Sequence, residues 1–146
     1  MRLRSAVGCV CVLLLLVLPG CAPSGVPEGP APVAVDGTVT LDGQPLAGAS
    51  LMFGQSAFGE TDANGHYELA AAGGKKGCPP GEYKVVIEKW VMPDGSPYKS
   101  GDMSPMDAGA KQELPAKYTD PEATELKATV PAEGGTFPFE LKSDGK

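Results

Sequence analysis

No window of helical length in this 146-residue chain carries an unbroken 3.6-residue apolar period. Strict alternation recurs instead, in short runs cut apart by 20 glycines and 15 prolines. Period two is the signature of a half-buried strand, because successive side chains point to opposite faces. In "VAVDGTVTL", Val33, Val35, Val39 and Leu41 share one parity, and Gly37 is read as a bulge. "ASLMF" puts Ala49, Leu51 and Phe53 on one face. In "FGETDANGHYELA", Tyr67 and Leu69 point inward and His66 and Glu68 outward. "PGEYKVVIEKW" alternates Tyr83, Val85 and Ile87 against Glu82, Lys84 and Glu88. "ELKATV" and "TFPFELK" add Leu126, Ala128, Val130, Phe137, Phe139 and Leu141. Pro138 donates no ladder hydrogen bond, so the last strand is expected at an edge. Asp42-Gly43 and Asn64-Gly65 supply turns, the latter with positive-φ positions at both residues. "AGAKQELPAKY" is expected to form one short helical turn before Pro115. About seven strands with regular turn signals predict an all-β fold, a β-sandwich.

The N-terminus follows different rules. Arg2 and Arg4 precede an uncharged run from Ala6 to Leu18. The run is short of the roughly 20 apolar residues that span a bilayer, but it fits the apolar core of a signal peptide. It ends in Leu18-Pro19-Gly20-Cys21, which resembles the bacterial lipobox, with Pro19 standing where Ala or Ser is usual. The resemblance implies cleavage before Cys21, a diacylglyceryl thioether on its sulfur, and acylation (palmitate or a similar chain) of the new amine. Two or three fatty chains anchor stably where one does not. A plain signal peptide cut elsewhere, or an uncleaved anchor, are the alternatives. Residues 1–20 are thus expected as a lipoprotein signal peptide, 21–32 as a Pro/Gly-rich tether, and 33–142 as one domain. The expected location is the periplasmic or cell-surface side of a membrane. Ala22 after the cysteine favours the outer membrane, by resemblance to the sorting rule of two-membrane bacteria.

Losing Arg2 and Arg4 would move the formal charge from −6 to about −8. An acidic domain of this kind does not suit nucleic acid, which needs a clustered basic face. Cys9 and Cys11 would leave with the leader and Cys21 carry lipid, so Cys78 remains alone and no disulfide framework is available.

Three segments, "VDGTVTLDGQPLAGASLMF", "GETDANGHYEL" and "PPGEYKVVI", resemble the carboxypeptidase regulatory-like and transthyretin-like domains. The tail "LPAKYTDPEATELKATV" with "FPFEL" is similar to small bacterial lipoproteins carrying such a domain. The resemblance implies an Ig-like/transthyretin-like (prealbumin-like) sandwich from about Val33 to Leu141. It is nearly silent on activity, since its motifs are turns and strands. A hydrolase of the wider superfamily acts on a urate breakdown product. It needs several histidines, an arginine and a Tyr-Arg-Gly-Ser-like tail. This chain has one histidine, no arginine after Arg4, and ends "LKSDGK", so that activity is not implied.

Candidate chemistry is sparse, and neither a catalytic residue nor a cofactor is expected. His66 would have to serve any nucleophilic triad, but it lies on the outward parity. Asp62 and Asn64, with Glu60 nearby, are weak calcium candidates, although the full calcium-loop pattern is missing. Asp62 suits a turn cap better. Lys75 and Lys76 could lower the Cys78 pKa, against which stands a buried, idle thiol. Residues 92–115 form the longest irregular stretch, with Met92, Met103 and Met106 as weak soft-metal donors. Trp90 and Tyr98 are the candidate contact residues for a partner. The expected role is structural or adhesive, as a lipid-anchored, non-enzymatic envelope module. The alternative is a binding module for envelope glycan or another exported protein through the 92–115 loop.

Overall fold

A computed structural model describes residues 29–99 and 103–144. The leader, Cys21 and most of the tether lie outside the described residues. The fold is all-β, built from two five-stranded sheets and one two-stranded ribbon. The first sheet is centred on β1 (Val35–Leu41). On one side β1 pairs antiparallel with β2 (Gln44–Pro45) and β5 (His66–Glu68). On the other it pairs parallel with β11 (Gly135–Thr136) and β12 (Phe139–Leu141). The second sheet runs in the order β10 (Lys127–Val130), β7 (Gly81–Glu88), β3 (Ser50–Phe53), β4 (Ala57–Glu60) and β6 (Ala70–Ala71). β8 (Trp90–Val91) and β9 (Lys111–Gln112) form the ribbon.

Seven of the twelve strands among the described residues have three residues or more; six of them are runs whose inward parity is read from the sequence, and β4 is the seventh. The other five are two-residue pairings imposed by tertiary contact. The inward parities hold: Val39, Leu51, Phe53, Val85 and Ile87 are fully buried and Tyr67 nearly so. The last strand lies at an edge, as Pro138 requires.

Phe53 of the second sheet is the hub of the core. Its ring meets Tyr67 and Phe139 of the first sheet at centroid distances of 6.4 and 6.1 Å. It also meets Tyr83 and Phe137, each at 6.3 Å. Aromatic pairs at such spacings add about 0.5–1.5 kcal/mol each beyond area burial. The phenols that enter this core are satisfied. Tyr67 donates to the Phe137 carbonyl at 2.7 Å and Tyr83 to the Pro79 carbonyl at 2.9 Å. The second bond is the tyrosine-to-corner tie suggested by "PPGEY". Thr61, a buried polar residue, accepts from the Ala49 N–H at 2.9 Å and donates to the Leu46 carbonyl.

Three local expectations are corrected. Gly37 is not a bulge: it opposes Tyr67 one for one, in an unbroken register. A glycine is required because a Cβ there would overlap the Phe137 carbonyl and the Tyr67 ring. In the Asn64-Gly65 turn only Gly65 (φ 73°) is left-handed, whereas Asp42 (φ 51°) and Gly43 (φ 80°) both are. The second pair closes the β1–β2 hairpin with the twist-matched turn. The helical turn, α1 (Ala116–Thr119), follows Pro115 rather than preceding it. Proline lacks the N–H that a helix interior needs, but this lack costs nothing at the helix start.

The registers also fix which loops share an end. The chain enters through a Val33–Cys78 bridge, and both β1 and β7 start beside it. β7 runs away from that end to Glu88, and antiparallel β3 places Ser50 opposite Glu88. The Glu88 end is therefore about 25 Å from where the chain enters, at roughly 3.3 Å per residue.

Gly37→Ala is expected to lower stability by about 1–3 kcal/mol, the cost of overpacking a well-filled core. Urea unfolding of both proteins checks this, and an unchanged midpoint would contradict the close approach of Phe137 and Tyr67.

Candidate functional site

Ser50 pairs with Glu60 on one side and with Glu88 on the other, so the three lie in one row across β4, β3 and β7. The row occupies the face opposite Leu51 and Phe53, outside the core. Trp90 and Tyr98 stand over it, and with Pro105 they enclose a recess of about 100 Å³. The Trp90 indole donates to Glu88 Oε2 at 3.1 Å. Glu60 makes no hydrogen bond or ion pair with the described residues. Tyr98 also borders a wider, mainly apolar open groove of about 780 Å³, lined by Met92, Pro97, Met103 and Ala108 with Ser96 and Lys99 at its polar side.

The excursion that carries these residues is built rather than slack. β8 pairs with β9 through Trp90–Gln112 and Val91–Lys111, which joins its two ends. Lys89 N–H donates to Gln112 Oε1 at 2.8 Å, while Gln112 Nε2 is buried without a partner among the described residues. A turn at 92–95 is held by the Gly95 N–H on the Met92 carbonyl at 2.9 Å. The Ser96 hydroxyl and N–H both donate to Asp94, which keeps that carboxyl below its usual range. The Tyr98 N–H donates to the Trp90 carbonyl at 2.9 Å, and its hydroxyl donates to the Met103 carbonyl. Lys89 and Glu113 form an ion pair at 3.1 Å beside the ribbon.

The structure brings Trp90 and Tyr98 together, as partner contacts would need. The calcium candidates Asp62 and Asn64 share one turn. Asp62 Oδ1 accepts from the Asn64 and His66 N–H groups at 2.8 and 3.0 Å, so it serves the turn. Glu60 belongs to the row with Ser50. Among the described residues no three His, Cys, Asp or Glu side chains gather in a metal-binding group. Met92 and Met103 line the groove, while Met106 is 79% exposed. Sequence reading missed the pairing of Glu60 with Glu88. Both are on outward parities, but only the strand register shows that they flank one serine.

His66 Nε2 lies 3.5 Å from Asp36 Oδ2, and the Thr136 hydroxyl donates to Asp36 Oδ1 at 3.1 Å. The carboxylate sits between imidazole and hydroxyl. In a nucleophilic triad the imidazole must take that middle place to receive the hydroxyl proton. Cys78 is fully buried, and burial pushes its thiol up, partly offset by Tyr83. The buried thiol is the reading that holds, and Lys75 and Lys76, on the exposed hairpin, do not offset the desolvation. Burial, with the Asp36 charge adding to it, also raises the Tyr67 phenol far above its ordinary value.

No family model, no curated protein and no solved structure matches this chain.

The folded chain keeps the Cys78 thiol and the Tyr67 phenol protonated to higher pH than the unfolded chain does. Stability is therefore expected to hold below about pH 8.5, the ordinary thiol value, and to fall as pH rises beyond it. Urea midpoints between roughly pH 7 and 10 test the sign, and Cys78→Ala should remove the early part of the fall. Native protein should leave Cys78 unlabelled by a thiol reagent, as read by mass mapping, and urea should expose it.

Proposed function

We propose that this chain is a lipid-anchored, extracytoplasmic, non-enzymatic module with a structural or adhesive role in the cell envelope. Its sandwich is of the Ig-like/transthyretin-like type. One observation carries the reading: "LLLLVLPGC" and a proline-rich tract lead directly into the end of the sandwich opposite the Trp90–Tyr98 recess. An anchor at Cys21 then holds one end toward the bilayer and presents the other end outward. The commitments of the polar side chains agree with this. Asp62, Thr61, Tyr67 and Tyr83 each bond to backbone, and Asp36 separates His66 from Thr136.

The second reading is a binding module for envelope glycan or another exported protein through residues 92–115. Two aromatic rings beside a carboxylate row favour it. Aromatic side chains provide large, stiff contact surfaces at low entropic cost.

Expression in a bacterial host with the lipoprotein pathway tests the anchor. The wild-type chain is expected in the membrane fraction, starting at Cys21 with two or three acyl chains by mass. Cys21→Ser should move it to the soluble or uncleaved fraction. Unmodified full-length wild-type chain in the soluble extract would end this proposal.

A further inference from the structure

The recess has a chemistry of its own. Glu60 and Glu88 lie one strand to either side of Ser50. At about 4.8 Å per strand their backbones are roughly 10 Å apart. Two long acidic side chains beside a short one leave a notch walled by carboxylates. Like charges so placed repel, and no described lysine neutralises them. Lys89 is held by Glu113, and Lys84 reaches the Pro121 carbonyl. Glu88 has only the neutral Trp90 indole as donor. The two rings add faces of negative potential, which attract cations and most strongly so for tryptophan.

Resting on the binding-module reading, we propose that this recess takes the ammonium group of a lysine side chain on a partner polypeptide. The partner's adjoining apolar residue lies in the groove of Met92, Pro97 and Met103. The recess, about 100 Å³, is far smaller than the groove of about 780 Å³ beside it. That space suits a compact ammonium and its last methylenes. A planar guanidinium is a poorer fit, being broader and suited to bidentate pairing. The alternation of apolar groove and acidic recess, both touching Tyr98, matches an extended chain whose neighbouring residues differ in polarity.

Trp90 is the only tryptophan of the chain, so it reports on the recess directly. The whole chain in detergent micelles is titrated with Nα-acetyl-lysine N-methylamide, following Trp90 fluorescence and its indole N–H resonance. A saturable response with a Kd on the order of millimolar is expected, weakening with salt. Glu60→Gln and Glu88→Gln should each weaken it about fivefold to tenfold by removing one carboxylate charge. Glu88→Gln retains an acceptor for the indole, and urea midpoints at or above the wild-type value establish that both variants are folded. An equal response to the norleucine analogue would overturn the proposal. So would silence up to ~50 mM, well beyond such a Kd, or glucosamine binding more tightly than the lysine amide. The titration does not depend on the state of Cys21. A failed titration leaves the anchor standing, and an unmodified Cys21 leaves the recess standing.

Discussion

Every ladder of the first sheet passes through β1. β2 and β5 meet it on one side and β11 and β12 on the other, and none of these four pairs with another strand of that sheet. The parallel side keeps a single register from Val35–Gly135 to Leu41–Leu141. A slip of one residue would turn Val35 and Val39 outward and lose both faces of the sheet together. Gly37 is the point at which that register can close. By vacating its own side-chain space, it lets Tyr67 cross to the Phe137 carbonyl. The Phe53 hub then joins this sheet to the other. The first and last parts of the domain therefore fold as one unit, because the strand that begins it is completed by the strand that ends it.

That closure also explains what the sequence could and could not show. Alternation marks which side chains face inward, so the buried parities of six long runs are legible, while β4 shows only as one arm of the Asn64-Gly65 hairpin. Partners are another matter. Nothing in "VAVDGTVTL" or "TFPFELK" says that they run parallel, since the pairing spans about 100 residues and depends on the whole core. The same limit applied to Gly37, whose role depends on a distant carbonyl. The 92–115 segment read as irregular because its order comes from two-residue pairings and side-chain ties, such as the Tyr98 hydroxyl on Met103. None of these has a period. Trp90 and Tyr98 were picked out as large amphipathic rings near a long loop. Glu60 and Glu88 were not seen as a pair, because register is a property of three strands together.

The ends of the sandwich divide the labour. Beside the entering chain, Cys78 is sealed, Val33 pairs with it, and Tyr83 ties the corner to Pro79. The corner is thus held by backbone pairing and one phenol bond beside a buried thiol. At the far end the scaffold carries a hydrogen-bonded excursion of about twenty residues, closed at its base by a two-residue ribbon. Loops of this length persist in compact domains when their ends are pinned and their interiors packed. Here the ends are pinned by the β8–β9 ribbon, and the Tyr98 N–H bond to the Trp90 carbonyl ties the two aromatic residues to each other.

The far end is also where local rules are broken. Across the rest of the sandwich, buried hydroxyls find carbonyls, as at Thr61, Thr124 and Tyr67. Around Trp90 not every polar group among the described residues finds a partner. Two glutamates share a row without a cation, and Gln112, paired directly opposite Trp90, buries an amide nitrogen with nothing to bond. Like charges on a sheet face and an orphaned buried donor each cost stability. Each is a local cost in a sequence whose choices elsewhere agree with the fold. Replacing Glu60 or Glu88 with a neutral residue would relieve the repulsion without touching the core, so nothing inside the fold requires either charge.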